Sequence, residues 1–413
     1  MSQPLENNLI FRPLRDDADR ERFAAFNAVC NNPSEGATCA CLLRHHPVTT
    51  LDDYWIIEDT TSGEIVSCTC LLPWTCSFAG IDLRVAQLEM VLTHPAYRGR
   101  GLVRRQMEHF AQTVTSRGYD LAIIWGIPYY YRQFGYAYAL DGEVREALPV
   151  WKIPPGDSDR VRLRPAQTAD IPFLAGQYQA MVGALDFYNQ RSPAYWRYML
   201  EAAQHPIHIV EDAAGALGYV TVSRRPETIV LYENGLPDAG HGLALLQHLR
   251  GQASQQVIIY WPQPAPLVSL ARSLGSQAIP GGQWLVRFPD VAQFLRKIGP
   301  LFAARLRPAW KEYSGALIVN LYRQAYRLRF EQGQLAGVDS LGFVDSSMGA
   351  DGGDLLIPPE AFVRLALGYR RLDDLFDAWP DIQVKPAARP LVDALFPPLQ
   401  SYMTTPYYFF DNG

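Results

Sequence analysis

One short pattern occurs twice in this sequence, with an offset of 152 or 153 residues. It limits the possible folds more than any other feature. The matched segments are Phe11-Arg12-Pro13-Leu14 with Leu163-Arg164-Pro165-Ala166, Ile57-Glu58-Asp59 with Val210-Glu211-Asp212, and Gly63 with Gly215. Because the offset is about the size of one domain, the repeat indicates two copies of one fold in tandem.

The first copy is predicted to contain antiparallel strands, then a helix, then another strand. Two apolar runs, 54–58 and 64–72, flank a turn and indicate a hairpin, and a third strand is predicted over 83–93. The apolar residues of 101–117 recur at helical spacing, and 121–125 is a short β-rich run. This order predicts an α+β (mixed α/β) fold.

The sequence after Pro289 resembles neither copy, so we expect a third domain there. An amphipathic segment spans 291–301, and strands are predicted over 314–321 and 325–330. Pro359 is typical of a helix start, and Gly368 of a helix end.

Charge and hydropathy exclude several classes of partner. The chain has 37 Lys and Arg against 42 Asp and Glu, for a net charge of −5, so we expect no nucleic-acid partner. No stretch reaches the roughly 18 apolar residues of a membrane span. The first residues also lack the basic-then-apolar order of a signal peptide. We therefore expect a cytoplasmic protein with no membrane partner.

The six cysteines all lie between Cys30 and Cys76. They leave most of the chain without a possible disulfide, so reduced thiols are expected. Cys39 and Cys41 precede His45, but their spacing is not that of a zinc-binding pair, and we predict no metal site.

The segment 95–102 joins the third strand to the helix and is rich in glycine and arginine. Backbone N–H groups at a helix N-terminus bind phosphate oxygens, and glycines let the ligand approach closely. Arg98, Arg100 and Arg104 add positive charge. A dinucleotide-binding fingerprint would need a third glycine at Arg104, and no Gly-Lys-Ser/Thr of a Walker A loop occurs there.

In this position Arg98-x-x-Gly101 resembles the acetyl-CoA pyrophosphate loop of the GNAT N-acetyltransferase superfamily. The downstream run 130–136, YYRQFGY, is similar to the Tyr-x-x-Phe-Gly-Tyr stretch of its Eis-like (enhanced intracellular survival) branch. That branch has two GNAT domains and a sterol-carrier-protein-like domain. The resemblance implies a catalytic GNAT domain over 1–155, a degenerate second GNAT domain over 156–289, and a sterol-carrier-protein-like domain with a C-terminal tail over 290–413.

In the second copy, Ala239-Gly240-His241-Gly242-Leu243 keeps the glycines of the loop but has neither arginine. We expect this copy to be structural. A residual phosphate site remains open as an alternative, because the backbone arrangement alone can bind an anion.

The resemblance implies acetyl-CoA as co-substrate, with its pantetheine arm paired to the third strand and its pyrophosphate held by the loop. An extended arm carrying amides can add to a strand through main-chain hydrogen bonds. The implied contacts are Val91, Leu92, Thr93, Arg98, Gly99, Arg100, Gly101, Leu102, Val103 and Arg104.

Acyl transfer from a thioester to an amine requires a base for the amine and an acid for the thiolate. By the resemblance, Tyr131 is the acid and the C-terminal carboxylate, here on Gly413, is the base. Tyr131 as a core tyrosine, Asp411 or Glu89 as the base, and a chain end without a catalytic role are the alternatives. His94 and His109 are interpreted as a loop residue and a helix-surface residue.

The sequence therefore predicts an acetyl-CoA-dependent N-acetyltransferase acting on a primary amine of unknown identity. The resemblance also implies a homo-oligomer. A second hypothesis is a non-catalytic protein that binds acyl-CoA, or binds an apolar ligand in its C-terminal domain.

Overall fold

A computed structural model describes residues 3–5, 8–142, 144–202, 206–252, 254–261, 265–346 and 351–404. The first part of the chain contains β1 (Gln3–Pro4), β2 (Leu9–Pro13), α1 (Asp17–Cys30), α2 (Pro33–His45), β3 (Tyr54–Asp59), β4 (Glu64–Phe78), β5 (Ile81–Thr93), α3 (Leu102–Ser116), β6 (Leu121–Ile124), β7 (Ala137–Asp141) and β8 (Val144–Pro149).

The middle part contains β9 (Arg162–Pro165), α4 (Ile171–Val182), β10 (Phe187–Asn189), α5 (Pro193–Ala202), β11 (Ile207–Asp212), β12 (Gly215–Arg224), β13 (Thr228–Gly235), α6 (Ala239–Arg250), β14 (Gln256–Trp261), α7 (Pro266–Ser273), β15 (Gln277–Ile279) and β16 (Gln283–Arg287).

The last part contains α8 (Val291–Lys297), α9 (Gly299–Trp310), β17 (Gly315–Asn320), β18 (Ala325–Glu331), β19 (Gln334–Gly342), β20 (Leu355–Leu356), α10 (Pro359–Ala366), α11 (Leu372–Phe376), β21 (Gln383–Val384), α12 (Arg389–Leu395) and β22 (Ser401–Tyr402). The mixed α/β class predicted from the sequence is confirmed.

Two sheets share one strand pattern, as the repeat predicts. The first sheet has the order β1-β2-β3-β4-β5-β6-β16-β7, and the second has the order β9-β11-β12-β13-β14-β8-β15 when read in the same direction. Along each of these two orders one pair of neighbours is parallel, β5 with β6 and β13 with β14, and antiparallel strands flank it. The repeated residues thus occupy equivalent strands.

The repeated arginine and glutamate make the same contacts in both copies. Arg12 donates to Glu58 at 2.7 Å and to Asp19 at 2.6 Å. Arg164 donates to Glu211 at 3.1 Å and to Asp170 at 2.8 Å. The first cluster joins β2 to β3 and α1, and the second joins β9 to β11 and the helical segment before α4. These shared contacts explain why the same residue types recur at a fixed spacing.

The two sheets exchange one strand each, which a division into contiguous ranges does not describe. β8 precedes residue 155 but lies in the second sheet between β14 and β15. β16 precedes residue 289 but lies in the first sheet between β6 and β7. Each exchanged strand pairs with two strands of the sheet formed by the other copy. Each copy therefore needs the other to complete its sheet.

A third sheet, of order β19-β18-β17-β20-β21, follows in the last part of the chain. The amphipathic segment predicted over 291–301 is two helices, because Gly299 and Pro300 end α8 and begin α9. The chain then returns to the first sheet, where β22 pairs with β10 and β10 pairs with β4. Among the described residues, no helix is both long and apolar enough to cross a membrane.

Candidate active site

A bulge in β5 opens the first sheet. Met90 has a φ of +55°, rare for a residue with a side chain, and the register of β5 against β4 shifts at this point. β5 pairs with β6 through Val85, Ala86 and Gln87. The chain beyond this pairing lines a cleft between the two strands, so the backbone irregularity is what creates the space for a ligand.

This cleft, which we call the donor cleft, has a volume of about 540 Å³. Its walls contain most of the acetyl-CoA contacts implied by the sequence. They comprise Cys30, Val91, Leu92, Thr93, Tyr97, Arg98, Gly99, Gly101, Leu102, Val103, Arg104, Ile127, Tyr130, Tyr131, Gln133 and Phe134.

The loop at one end of the donor cleft has the geometry of an anion site. Gly99 and Gly101 both have a φ of +76°, a conformation that glycine adopts without strain. Gly101 is the N-cap of α3 and provides no side chain to cap the helix, so the first N–H groups of α3 have no side-chain acceptor there. Arg98 and Arg104 lie in the same wall.

Arg100 is the implied contact whose side chain does not line the donor cleft. Its guanidinium lies over the ring of Tyr97, 4.6 Å from the ring centre, and approaches the carbonyl of Ala96 at 3.5 Å. Tyr97 itself does line the cleft and donates a hydrogen bond to Asp59 at 2.7 Å. No pattern in the sequence around Tyr97 predicts this position.

Tyr131 lies in a short 3₁₀ helix, Tyr130–Phe134, and is 5% exposed. Residues with positive φ, Tyr129 at +70° and Gly135 at +79°, flank this helix. A side chain at Gly126, just after β6, would clash with the ring of Tyr131, so glycine there permits the close approach. Burial and the negative charge of Glu89 raise the pKa of Tyr131, and the phenol therefore keeps its proton at neutral pH.

A second cleft, of about 340 Å³, meets the donor cleft at Tyr131, and we call it the acceptor cleft. The two clefts share Val91, Leu92, Ile127 and Tyr131. The other walls of the acceptor cleft are Asn27, Asn31, Glu35, Glu89, Met90, Ile124, Trp125 and Gly126. Two asparagines and a carboxylate reach this cleft from α1 and the start of α2, a contribution that the sequence patterns above do not predict.

Glu89 is 8% exposed and lines the acceptor cleft. Its carboxylate accepts a hydrogen bond from the amide of Gln87 at 2.7 Å, and the oxygen of that amide accepts one from the indole of Trp74 at 2.7 Å. These bonds fix the direction of the carboxylate on β5. Glu89 thus has both the structural partners and the cleft position that the sequence left as alternatives.

Gly413 and Asp411 lie outside the described residues. The described part of the tail ends close to the acceptor cleft. The indole of Trp284 donates to the carbonyl of Met403 at 2.7 Å, and its ring contacts Trp125, with 5.2 Å between the ring centres. Trp125 lines the acceptor cleft.

His94 and His109 both make contacts of a structural kind. His94 caps a short 3₁₀ helix by accepting from the N–H of Ala96 at 3.3 Å, as a loop residue does. His109 is not a plain surface residue, because its ring packs against Phe11 and Trp55 at centre distances of 4.8 and 4.9 Å. This burial lowers the pKa of His109.

The cysteines from Cys30 to Cys76 are free thiols, and the part of the chain described by the structure contains no group of three or more His, Cys, Asp or Glu side chains that could hold a metal ion.

Comparison with known proteins gives one family match and several structural ones. Residues 11–139 match the family model of the acetyltransferase (GNAT) domain. None of the curated proteins compared with the chain matches it.

Solved structures match along almost the whole chain at low identity. A GCN5-related N-acetyltransferase from Anabaena variabilis has a TM-score of 0.70 and 13% identity, covering 96% of this chain and 99% of its own. A probable N-acyltransferase from Enterococcus faecalis has a TM-score of 0.71 and 15% identity, covering 95% and 99%. Eis1 from Mycobacterium abscessus has a TM-score of 0.62 and 17% identity, covering 96% and 99%. Residues 11–139 are thus a GNAT acetyltransferase domain, which makes the protein a transferase, and the fold of the whole chain is the one seen in Eis1.

Proposed function

We propose that this protein is an acetyl-CoA-dependent N-acetyltransferase that acetylates a primary amine. The observation that carries the proposal is the meeting of the donor and acceptor clefts at Tyr131. Two substrates bound in two clefts can react only where the clefts join, and a protonated phenol is already buried at that junction.

The donor cleft suits acetyl-CoA at both ends. The uncapped start of α3 and Arg98 favour the pyrophosphate, because N–H dipoles and guanidinium groups both stabilise phosphate charge. The strand segment from Val91 to Thr93 runs from this loop toward Tyr131 and can hydrogen-bond the pantetheine amides.

In the proposed reaction the amine nitrogen attacks the thioester carbon and the C–S bond breaks. The base takes a proton from the amine, and Tyr131 donates its proton to the departing thiolate. Burial raises the pKa of Tyr131 from a value that is already above neutral pH, so the phenol holds its proton before the step and has one to donate.

For the base we propose the carboxylate of Gly413, with Glu89 and Asp411 as the alternatives. The support from the described residues is that Met403, just before the undescribed end, accepts a hydrogen bond from Trp284, whose ring packs on Trp125 of the acceptor cleft. Glu89 is the alternative that already lies in the wall of the acceptor cleft.

The function is tested by following thiol release from acetyl-CoA with a panel of aliphatic amines, polyamines and aminoglycosides. We expect release that depends on both substrates. Saturable acetyl-CoA binding without thiol release from any amine would favour the non-catalytic hypothesis instead.

The base is tested with three variants in the same assay. If the Gly413 carboxylate is the base, appending a few residues after Gly413 lowers kcat strongly, whereas Asp411→Asn and Glu89→Gln keep most activity. Full activity in the appended form would exclude the terminal carboxylate. Loss in Asp411→Asn or in Glu89→Gln alone would assign the role to that side chain.

A further inference from the structure

A cavity lined by arginines lies in the last part of the chain, away from both catalytic clefts. Its volume is about 580 Å³, and it shares no wall residue with the donor or acceptor cleft. Its walls are Arg364, Tyr369, Arg370, Arg371, Asp374, Leu375, Ala378, Trp379 and Pro398. Three positive side chains therefore face one negative side chain around a space large enough for a small molecule.

Arg364, on α10, is the least compensated of these charges. Its guanidinium lies over the ring of Trp379, 4.7 Å from the ring centre. Its Nε is buried and has no hydrogen-bond partner within the described residues. A guanidinium that is partly removed from water and lies over a ring face loses hydration that an ion pair would replace.

Neighbouring guanidinium groups add to this cost. Arg370 lies over the ring of Tyr369 at 4.0 Å and donates to the Tyr369 carbonyl at 2.7 Å and to its hydroxyl at 3.3 Å, so both hydrogen bonds are to neutral acceptors. Burial lowers the pKa of Arg364, and the positive charges of Arg132 and Arg370 lower it further, although Tyr369 and Glu360 act in the opposite direction. Repulsion of this kind is relieved when an anion binds between the groups.

The one carboxylate in the wall is already engaged. Asp374 accepts a hydrogen bond from the backbone N–H of Arg371 at 3.0 Å, at the start of α11. Within the described ranges, Arg364, Arg370 and Arg371 form no ion pair with a carboxylate. The net charge of the wall is therefore positive by two; outside the wall, Arg132 adds a positive charge, and Glu360 and Asp141 add negative ones.

From this arrangement we propose that the cavity binds a small ligand bearing a phosphate group, or a comparable doubly charged oxyanion. A dianion matches the net charge of the wall, and guanidinium groups donate to phosphate oxygens in pairs. The phosphate occupies only part of the volume. The remaining wall, with Leu375, Ala378 and Pro398, is apolar and fits an organic body attached to the phosphate.

Two features connect the site to the loop that carries Tyr131, although the site is separate from both clefts. Arg132 directly follows Tyr131 in the sequence, and α10, which carries Arg364, packs against β7 of the first sheet. The proposal does not depend on the acyltransferase activity, since its evidence is the arginine cavity alone.

The test is a calorimetric titration of the full-length protein with inorganic phosphate and, separately, with phenyl phosphate. Saturating acetyl-CoA is present to fill the donor cleft, and sodium chloride controls for ionic strength. We expect saturable binding in the wild type. Arg370→Gln and Arg364→Gln should each weaken it at least about tenfold, the scale for losing one charged hydrogen bond.

Arg370 is exposed, so Arg370→Gln tests the site even if the change at the half-buried Arg364 disturbs folding. Arg327→Gln, an exposed arginine on β18, is the matched control and should bind like the wild type. Tighter binding of phenyl phosphate would assign an organic phosphate monoester, and equal binding would assign free phosphate. Absence of binding, or equal affinity in the wild type and both arginine variants, would overturn the proposal.

Discussion

The two copies of the repeated fold differ most where a helix follows the bulged strand. In the first copy, Gly101 caps α3 without a side-chain hydrogen bond. In the second copy, Asp238 caps α6, and its carboxylate accepts from the N–H of His241 at 2.9 Å. A carboxylate thus already fills the position where the first copy would place a phosphate, because both anions use the same N–H groups.

The glycines that the two loops share have different roles. Gly99 and Gly101 adopt positive φ and shape the loop of the first copy. Gly240 and Gly242 lie within the first turn of α6, and a Cβ at Gly242 would come within 3.1 Å of Leu267 on α7. The glycine at 242 therefore permits helix packing, and the loop needed for the residual phosphate site is not formed.

The strand segments that follow the bulge also differ between the two copies, one lining a cleft and the other being closed. Val91 to Thr93 line the donor cleft, whereas Glu233, after the corresponding bulge in β13, forms an ion pair with Arg191 at 2.7 Å. Both partners are 0% exposed, and Tyr219 also donates to Glu233. One backbone fold thus gives an open site in one copy and a closed, ion-paired interior in the other.

The largest effect is expected from removing the buried ion pair of the second copy. Arg191→Met leaves the Glu233 carboxylate buried without its cation, which should cost about 3–5 kcal/mol of stability, measured by urea unfolding. The control Arg162→Met removes a pair with Glu211 in which Arg162 is 77% exposed, and it should cost under about 1 kcal/mol. Equal costs in the two variants would mean that the buried pair contributes no more than a surface one.

In the open copy, the largest effect is expected at the junction of the clefts. Tyr131→Phe should lower kcat by about 10²-fold or more and leave the KM for acetyl-CoA nearly unchanged, because only the proton donor is removed. Tyr129→Phe, at a neighbouring side chain that is 76% exposed, should retain the wild-type kcat. Wild-type turnover in Tyr131→Phe would make Tyr131 a core residue.

Local sequence patterns predicted the structural elements whose conformation depends on residues close by in the sequence. The hairpins, α3 and the loop before it were predictable because periodicity and glycine report on local backbone conformation. The repeat also predicted the second sheet. Helices α1 and α2 were missed although Asp16 and Asn32 cap them, a signal that was available in the sequence.

The exchange of β8 and β16 was not predictable in this way, since strand pairing across more than a hundred residues leaves no local pattern. The role of Gly126 also depends on a ring that packs against it from the next loop. Such contacts are tertiary, and the local patterns of a single sequence do not reveal them. The sterol-carrier-protein-like nature of the last part stays a prediction.

Substitutions of the loop arginines are expected to have an intermediate effect, on the KM for acetyl-CoA, that the second copy does not share. Arg98→Ala should raise the KM for acetyl-CoA roughly 10- to 100-fold, because a charged hydrogen bond to phosphate contributes about 1.5–3 kcal/mol. Arg100→Ala should raise it less, since the Arg100 guanidinium lies over Tyr97 rather than in the cleft wall. His241→Ala, in the second copy, should leave this KM unchanged. Unchanged KM in Arg98→Ala would reduce the loop to a surface turn.

The smallest effect tests whether the carboxylate cap closes the second copy to phosphate. Asp238→Ala removes the cap of α6 and should lower stability by about 1 kcal/mol, read from the urea midpoint. It should not create a second acetyl-CoA site, because Gly240 and Gly242 remain in the helix and supply no loop. Calorimetry should therefore give one equivalent of acetyl-CoA per chain in the wild type and in Asp238→Ala. A second equivalent appearing only in Asp238→Ala would show that the cap alone closes the site, and that the two copies differ in one carboxylate rather than in backbone shape.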